Sequence, residues 1–463
     1  MLGAIVVPSI YALKPTLGQR IVTPHNTVLV MPKTRYDLGM PKNTLGANVA
    51  ADPTRSSTAL PPAKRLLWLL GPALVAGVAY LDPGNVAANM SAGAQYGHLL
   101  VWVVISGNIM AWLVQYLSAK LGVVTGKSLP EALRDRFGTK VGRIAYWLQA
   151  EAVAMATDVA EVIGGAVALY LLFDLPLLLG GIITGVISMG LLLVQSRKGP
   201  WVFERIVISL LLVIAVGFCA GVIIAPPEAA HVLGGMVPRF ADSNSVLLAA
   251  SILGATVMPH AIYAHSSLAR DRFGSTPKAH SIPRLLKATR WDVSVAMLIA
   301  GSVNVAMLLL AAVNLAGVEG TDSLEGAHAA LNNALGPVIA TLFAVGLLAS
   351  GLASTAVGAY AGAEIMDGLL HRRISILARR LITLTPALII LAAGIDPTFA
   401  LILSQVALSF GIPFALIPLV NLTARRTVMG VHANKWFTTA AGIIVSLALI
   451  SLNVLLIALT FQG

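Results

Sequence analysis

LLWLLGPALVAGVAYLDPGNVAANMSAGAQ, residues 66–95, has the length and apolarity of a bilayer-crossing helix, yet Asp82-Pro83-Gly84-Asn85 interrupts its middle. Proline removes a backbone donor and clashes with the preceding turn. In lipid, the groups it frees are tolerated only where they line a cavity or are buried by protein. A second apolar stretch, 246–269, repeats the pattern with Met258-Pro259-His260. A kink would account for a lone proline, but polar side chains flank both breaks. These residues predict two discontinuous helices that present side chains and backbone groups at membrane depth.

The rest of the chain agrees with a membrane setting. It has 463 residues, 57% hydrophobic and 11% charged, and its mean hydropathy of +0.84 excludes an ordinary soluble enzyme. Its apolar runs approach the ~20 residues of a spanning helix and not the ~10-residue alternating segments of a β-barrel. Eleven spans are expected, at 66–95, 98–119, 143–171, 176–195, 203–225, 246–269, 291–315, 337–363, 374–394, 398–421 and 437–460. The breaks fall in the first helices of two successive five-span blocks. Five is odd, so the second block is inverted in the membrane, the arrangement in which broken helices meet at the substrate and ion site of a secondary transporter.

Charge sets the orientation. In or beside alternate loops, 30 of the 31 Lys and Arg fall on one side, leaving Arg239 for the other. The positive-inside rule then puts the N-terminus in the cytoplasm and the C-terminus outside. The net charge of +11 is therefore a topology signal and gives no reason to expect nucleic acid. Residues 1–63, rich in proline, read as a mostly disordered cytosolic extension. Residues 64–225 read as the first repeat, 226–421 as the second, and 422–463 as the eleventh helix.

Asp82 offers an anionic oxygen, Asn85 a carbonyl oxygen three residues on, and Met258 a thioether. Oxygens alone suit Mg²⁺ or Ca²⁺ equally, and sulfur tips the choice toward transition metals. The two breaks, with Ser404-Gln405-Val406 through Pro413-Phe414 in span 10, resemble the NRAMP family of proton-coupled divalent-metal transporters over residues 66–460. That resemblance implies an all-α integral membrane protein of LeuT type: two inverted five-helix repeats with helices 1 and 6 broken, plus one extra helix. It also implies a metal ion, Mn²⁺ or Fe²⁺, held by Asp82, Asn85, Met258 and the Ala255 carbonyl, with Gln405 joining in some conformations. No permanently bound cofactor is expected.

Span 3 carries Glu151, Asp158 and Glu161 in an otherwise apolar helix. At about 100° per residue they lie within an arc of roughly 80°, and ten residues rise ~15 Å. Titratable groups strung along such a depth read as a proton relay, with His260 brought near by span 6. The resemblance supports Asp158, Glu161 and His260 in this role. It further implies that Arg272, and Arg379 or Arg380, complete the exit.

Other classes fit less well. Gly122–Ser128 resembles a phosphate-binding loop but has three residues between its glycines where four are needed. The lone Cys219 excludes a disulfide framework. An organic-solute or amino-acid symporter of the same architecture gains nothing from the Met258 thioether, and a cation channel has no need of inverted broken helices. The expected setting is the plasma (inner) membrane, with divalent metal ions, protons and the lipid bilayer as partners and a monomer as the working unit.

Overall fold

A computed structural model describes residues 71–198, 200–273, 282–372 and 374–462. The expected extension over 1–63, and the opening of the first expected span, lie outside the described residues. Among the described residues all regular structure is helical.

Helix α1 (Pro72–Val78) tightens into a 3-10 turn over Ala79–Leu81, and α2 begins afresh at Pro83–Tyr96. Asp82 between them is extended, with φ −70° and ψ 163°, and its carboxylate caps α2 by accepting the Asn85 N–H at 2.8 Å. Proline tolerates the first helical position because no partner awaits its missing N–H there. The first block continues with α3 (Val101–Thr125), α4 (Leu129–Arg134), α5 (Lys140–Phe173), α6 (Leu177–Lys198) and α7 (Pro200–Ile224). After the short α8 (Ala229–Gly234), the second break separates α9 (Ser243–Thr256) from α10 (Pro259–Phe273). Then come α11 (Ile282–Asn314), α12 (Leu324–Leu335), α13 (Pro337–Leu370), α14 (Ile376–Ala392), α15 (Pro397–Ala424), α16 (Arg426–Met429) and α17 (Trp436–Gln462).

Every expected span overlaps one of these helices or broken pairs, and eight of them, among the described residues, are long and apolar enough to cross a membrane. Packing between the blocks repeats. Helix α2 lies on α11 as α10 lies on α3, α1 lies on α11 as α9 lies on α3, and α7 lies on α13 as α15 lies on α5. Exchanging the blocks maps each pairing onto its counterpart, with α5 and α13 packed together at the centre.

Some boundaries differ from expectation. Helix α3 runs past 119 to Thr125 because Lys120 is absorbed: its Nζ donates to Asn434 Oδ1 at 2.8 Å, and Gly126 at φ 64° ends the helix. Helix α11 starts well before 291, at Ile282. Helix α12 was not expected at all; it buries only Leu324, Ala327 and Leu331, a narrow stripe in a short segment. At the start of α1, Asp292 of α11 accepts the Gly71 and Ala73 N–H groups at 3.1 and 3.0 Å. A carboxylate from another helix thus satisfies amides that a helix N-terminus leaves without partners.

Candidate metal site and charged network

The site is built around what the two breaks leave unbonded. Pro259 has no N–H to close an α-helical bond onto the carbonyl of Ala255, so that oxygen is available to another partner. On the first break, the Tyr80 carbonyl accepts the Asn85 amide and the Leu81 carbonyl accepts the Ser350 hydroxyl. Asn85 also donates from Nδ2 to Asn304 Oδ1 at 2.9 Å, while its own Oδ1 accepts from Asn89 at 2.5 Å. Two donations fix the amide plane of Asn85, and its carbonyl oxygen keeps a second lone pair.

Gln405 of α15 joins the breaks. Its Nε2 donates to Asp82 Oδ2 at 2.8 Å, while Oε1 is buried without a hydrogen-bond partner among the described residues. The close approach is enforced by glycines. A Cβ at Gly84 would lie within the Gln405 side-chain amide, and one at Gly254 would lie on the Gln405 carbonyl oxygen. Asp82, Asn85, Ala255, Met258 and Gln405 are all 0% exposed, so these groups are shut off from both membrane faces. A buried carboxylate held by one amide and one backbone N–H on the first break, and a carbonyl without its helical donor and a buried thioether on the second, are chemistry suited to a desolvated cation.

Two guanidinium groups serve the three span-3 acids. Arg379 grips Glu151 Oε1 from Nε at 3.1 Å and Nη2 at 2.8 Å. Arg380 binds Asp158 Oδ1 at 2.8 Å, stands 3.7 Å from Glu161 Oε2, and is oriented by Ser188 at 3.0 Å. Both arginines are engaged, with different acids. His260 meets the same helix one residue before Asp158, its Nδ1 lying 3.2 Å from Thr157 Oγ1. Arg272 pairs with Glu204 of α7 at 3.0 Å. A cavity of about 210 Å³ lined by Asp158, Arg379, Arg380, Thr383, Glu364 and Asp367 extends to Arg372 and Ile374, in the loop before α14.

A second polar chain, not expected from the sequence, runs from α10 to the first break. His265 Nδ1 lies 2.5 Å from Gln115 Oε1, and Gln115 in turn donates to the hydroxyl of Tyr80, two residues before Asp82. Gln115 inside apolar α3 and Asn304 inside α11 were the available signals, but neither spacing reveals a partner in another helix.

Against known proteins, residues 73–459 match the family described as Nramp, natural resistance-associated macrophage protein-like. The divalent metal cation transporter MntH of Mycobacterium tuberculosis H37Rv is 60% identical over 396 residues, 86% of this chain and 92% of that protein. The Eremococcus coleocola manganese transporter structure, 30% identical, superposes with a TM-score of 0.77 over 86% of this chain and 87% of that one. Mhp1, a nucleobase-cation-symport-1 family transporter, is 15% identical with a TM-score of 0.55 over 85% of this chain and 92% of its own, a likeness of fold alone.

The glycine contact is testable. Gly84→Ala should push Gln405 off Asp82 at an overpacking cost of about 1–3 kcal/mol, lowering the thermal unfolding midpoint in detergent. Gln405→Ala in the same chain should restore most of the loss. A double variant no more stable than Gly84→Ala alone would mean that the clash lies elsewhere.

Proposed function

The chain belongs to the Nramp family, and from that premise we propose that it imports divalent transition-metal ions, Mn²⁺ and Fe²⁺, in symport with protons by alternating access. It is a multi-pass membrane transporter and not an enzyme. The observation that carries the reading is the Asp82 carboxylate, set at a helix break and held by Gln405 from span 10. The metal is ligated by Asp82, Asn85, the Ala255 carbonyl and the Met258 sulfur. Gln405 exchanges its hydrogen bond to Asp82 for a bond from Oε1 to the ion as the site changes conformation. The relatives' names, divalent metal cation transporter and manganese transporter, support this substrate class.

Protons take a separate route. His260, Glu161 and Asp158 pass the proton from the metal site toward Glu151 and the cavity beside Arg379 and Arg380. Arg272, on its Glu204 pair, holds the inner ends of α10 and α7 together. The scheme takes eleven crossings, with repeats over 64–225 and 226–421 and a final helix in 422–463. It places a cytoplasmic N-terminus and an extracytoplasmic C-terminus in a plasma membrane, with the monomer as the working unit.

The division of labour is tested in proteoliposomes with metal uptake and internal pH followed together. Asp158→Asn, which keeps shape without ionising, should impair proton movement more than equilibrium Mn²⁺ binding, whereas Asp82→Asn should damage both. Loss of Mn²⁺ binding in Asp158→Asn, or proton movement in that variant reduced no more than Mn²⁺ binding, would overturn the split.

Selectivity rests on sulfur. Met258→Ala should retain partial Mn²⁺ uptake, since manganese accepts all-oxygen shells. It should lose much of its Cd²⁺ competition and admit Ca²⁺ or Mg²⁺. Met258→Leu controls for volume. Unchanged Cd²⁺ and Ca²⁺ competition in both variants would reduce Met258 to packing.

A further inference from the structure

Several cationic groups at the α4, α10 and α14 end of the protein have a carboxylate partner. Arg270 contacts Glu131, Asp271 and Glu364; Arg379 has Glu151 and Arg380 has Asp158; Lys127 has Asp135. Arg136 and Arg425 have a shared neutral partner instead. Arg136 Nη1 donates to Asn421 Oδ1 at 3.1 Å, and Arg425 Nε donates to the same oxygen at 2.7 Å. Two guanidinium groups thus converge on one neutral acceptor, and neither forms an ion pair among the described residues. Partial burial, and then the charge of Arg425, hold the Arg136 guanidinium below its ordinary value. Like charges at this spacing repel, and each fork keeps N–H groups to spare for a planar or tetrahedral oxyanion.

Asn421 and Arg425 also line the head of a groove of about 410 Å³ between the last turns of α15 and the first turns of α17. Below them its walls are apolar, with Ile417, Ile443 and Leu447 at 48%, 49% and 57% exposure. From Thr439 to Ile450 the groove runs ~16 Å, close to the hydrocarbon depth of one leaflet. Trp436 and Phe437, 82% and 55% exposed, stand at the start of α17, where aromatic rings favour the membrane–water interface. An apolar channel one leaflet deep under a pair of uncompensated arginines matches one kind of molecule in charge and in shape.

We propose that this groove holds an acyl chain of an anionic phospholipid whose phosphate sits between Arg136 and Arg425. Charge complementarity selects an anionic headgroup over a zwitterionic one, because an attached cationic amine would meet two like charges. The assignment to the cytoplasmic leaflet rests on the orientation proposed above; the binding itself does not.

The full chain in detergent is titrated with phosphatidylglycerol or with phosphatidylcholine of the same acyl chains. Retained lipid is counted by native mass spectrometry, and the unfolding midpoint is followed in parallel. Wild type should retain phosphatidylglycerol preferentially and be stabilised more by it. Arg136→Gln with Arg425→Gln should weaken phosphatidylglycerol retention on the order of tenfold and leave phosphatidylcholine retention unchanged. Ile443→Trp should reduce retention of both lipids by filling the groove. Arg284→Gln, at an exposed arginine of α11, should change nothing. Equal loss in Arg284→Gln would mean a diffuse charge effect, and a wild-type midpoint raised as far by inorganic phosphate alone would mean a free-anion site. Either result, or an unaltered lipid preference in the arginine double variant, overturns the proposal.

Discussion

Two backbone hydrogen bonds that cannot form organise this protein. Pro83 and Pro259 each deny a donor to a carbonyl one turn earlier, inside segments that otherwise read as bilayer-spanning helices. Water would satisfy such oxygens at a surface, but hydrocarbon does not, so surrounding side chains or a bound ligand must do so. The break at Pro83 leaves the following carbonyls without helical donors as well: Ser350 of α13 covers that of Leu81, Asn85 covers that of Tyr80, and Asp82 turns its carboxylate to cap the restarted helix. Once that carboxylate is fixed at depth it needs a partner of its own, and α15 supplies one through Gln405. The glycines at 84 and 254 follow from the same requirement, because only their lack of a side chain lets α15 approach both breaks.

A second constraint runs through α5. Acids buried in an apolar helix are costly alone, and removing one member of a buried pair costs more than the pair contributes. The two consecutive arginines of α14 meet this need from one element, Arg379 on Glu151 and Arg380 on Asp158. Helix α14 is short for a spanning segment and carries both charges, so its place depends on the acids opposite as much as on lipid contact. The result is a line of ion pairs, of which Asp158, Arg379 and Arg380 line a cavity rich in charged side chains. In the proposed scheme metal and proton use different side chains, and His260, on the helix that the second break creates, stands against Thr157 of α5.

Much of this was legible in the sequence, and the illegible part has a common cause. Span positions, both breaks and the acidic arc follow from local pattern, since length, proline and about 100° per residue are properties of one segment. Pairings between segments are not. Which of Arg379 and Arg380 faces which acid depends on the rotation of α14 against α5, and the His265, Gln115 and Tyr80 chain joins three helices far apart in sequence. Lys120 looked like a span terminus because its partner, Asn434, lies more than three hundred residues away. Helix α12 was missed because its buried stripe is too short to register as a period.

The paired helix breaks are the proposed transition-metal site. Anomalous diffraction from crystals grown with Mn²⁺, recorded above and below the manganese absorption edge, addresses it directly. A single strong difference peak should lie within about 2–2.6 Å of the Asp82, Asn85 and Ala255 oxygens, with the Met258 sulfur completing the shell and Gln405 rotated away from Asp82. A saturated crystal with no peak between the breaks, or with its only peak on the α5 acids, would contradict it.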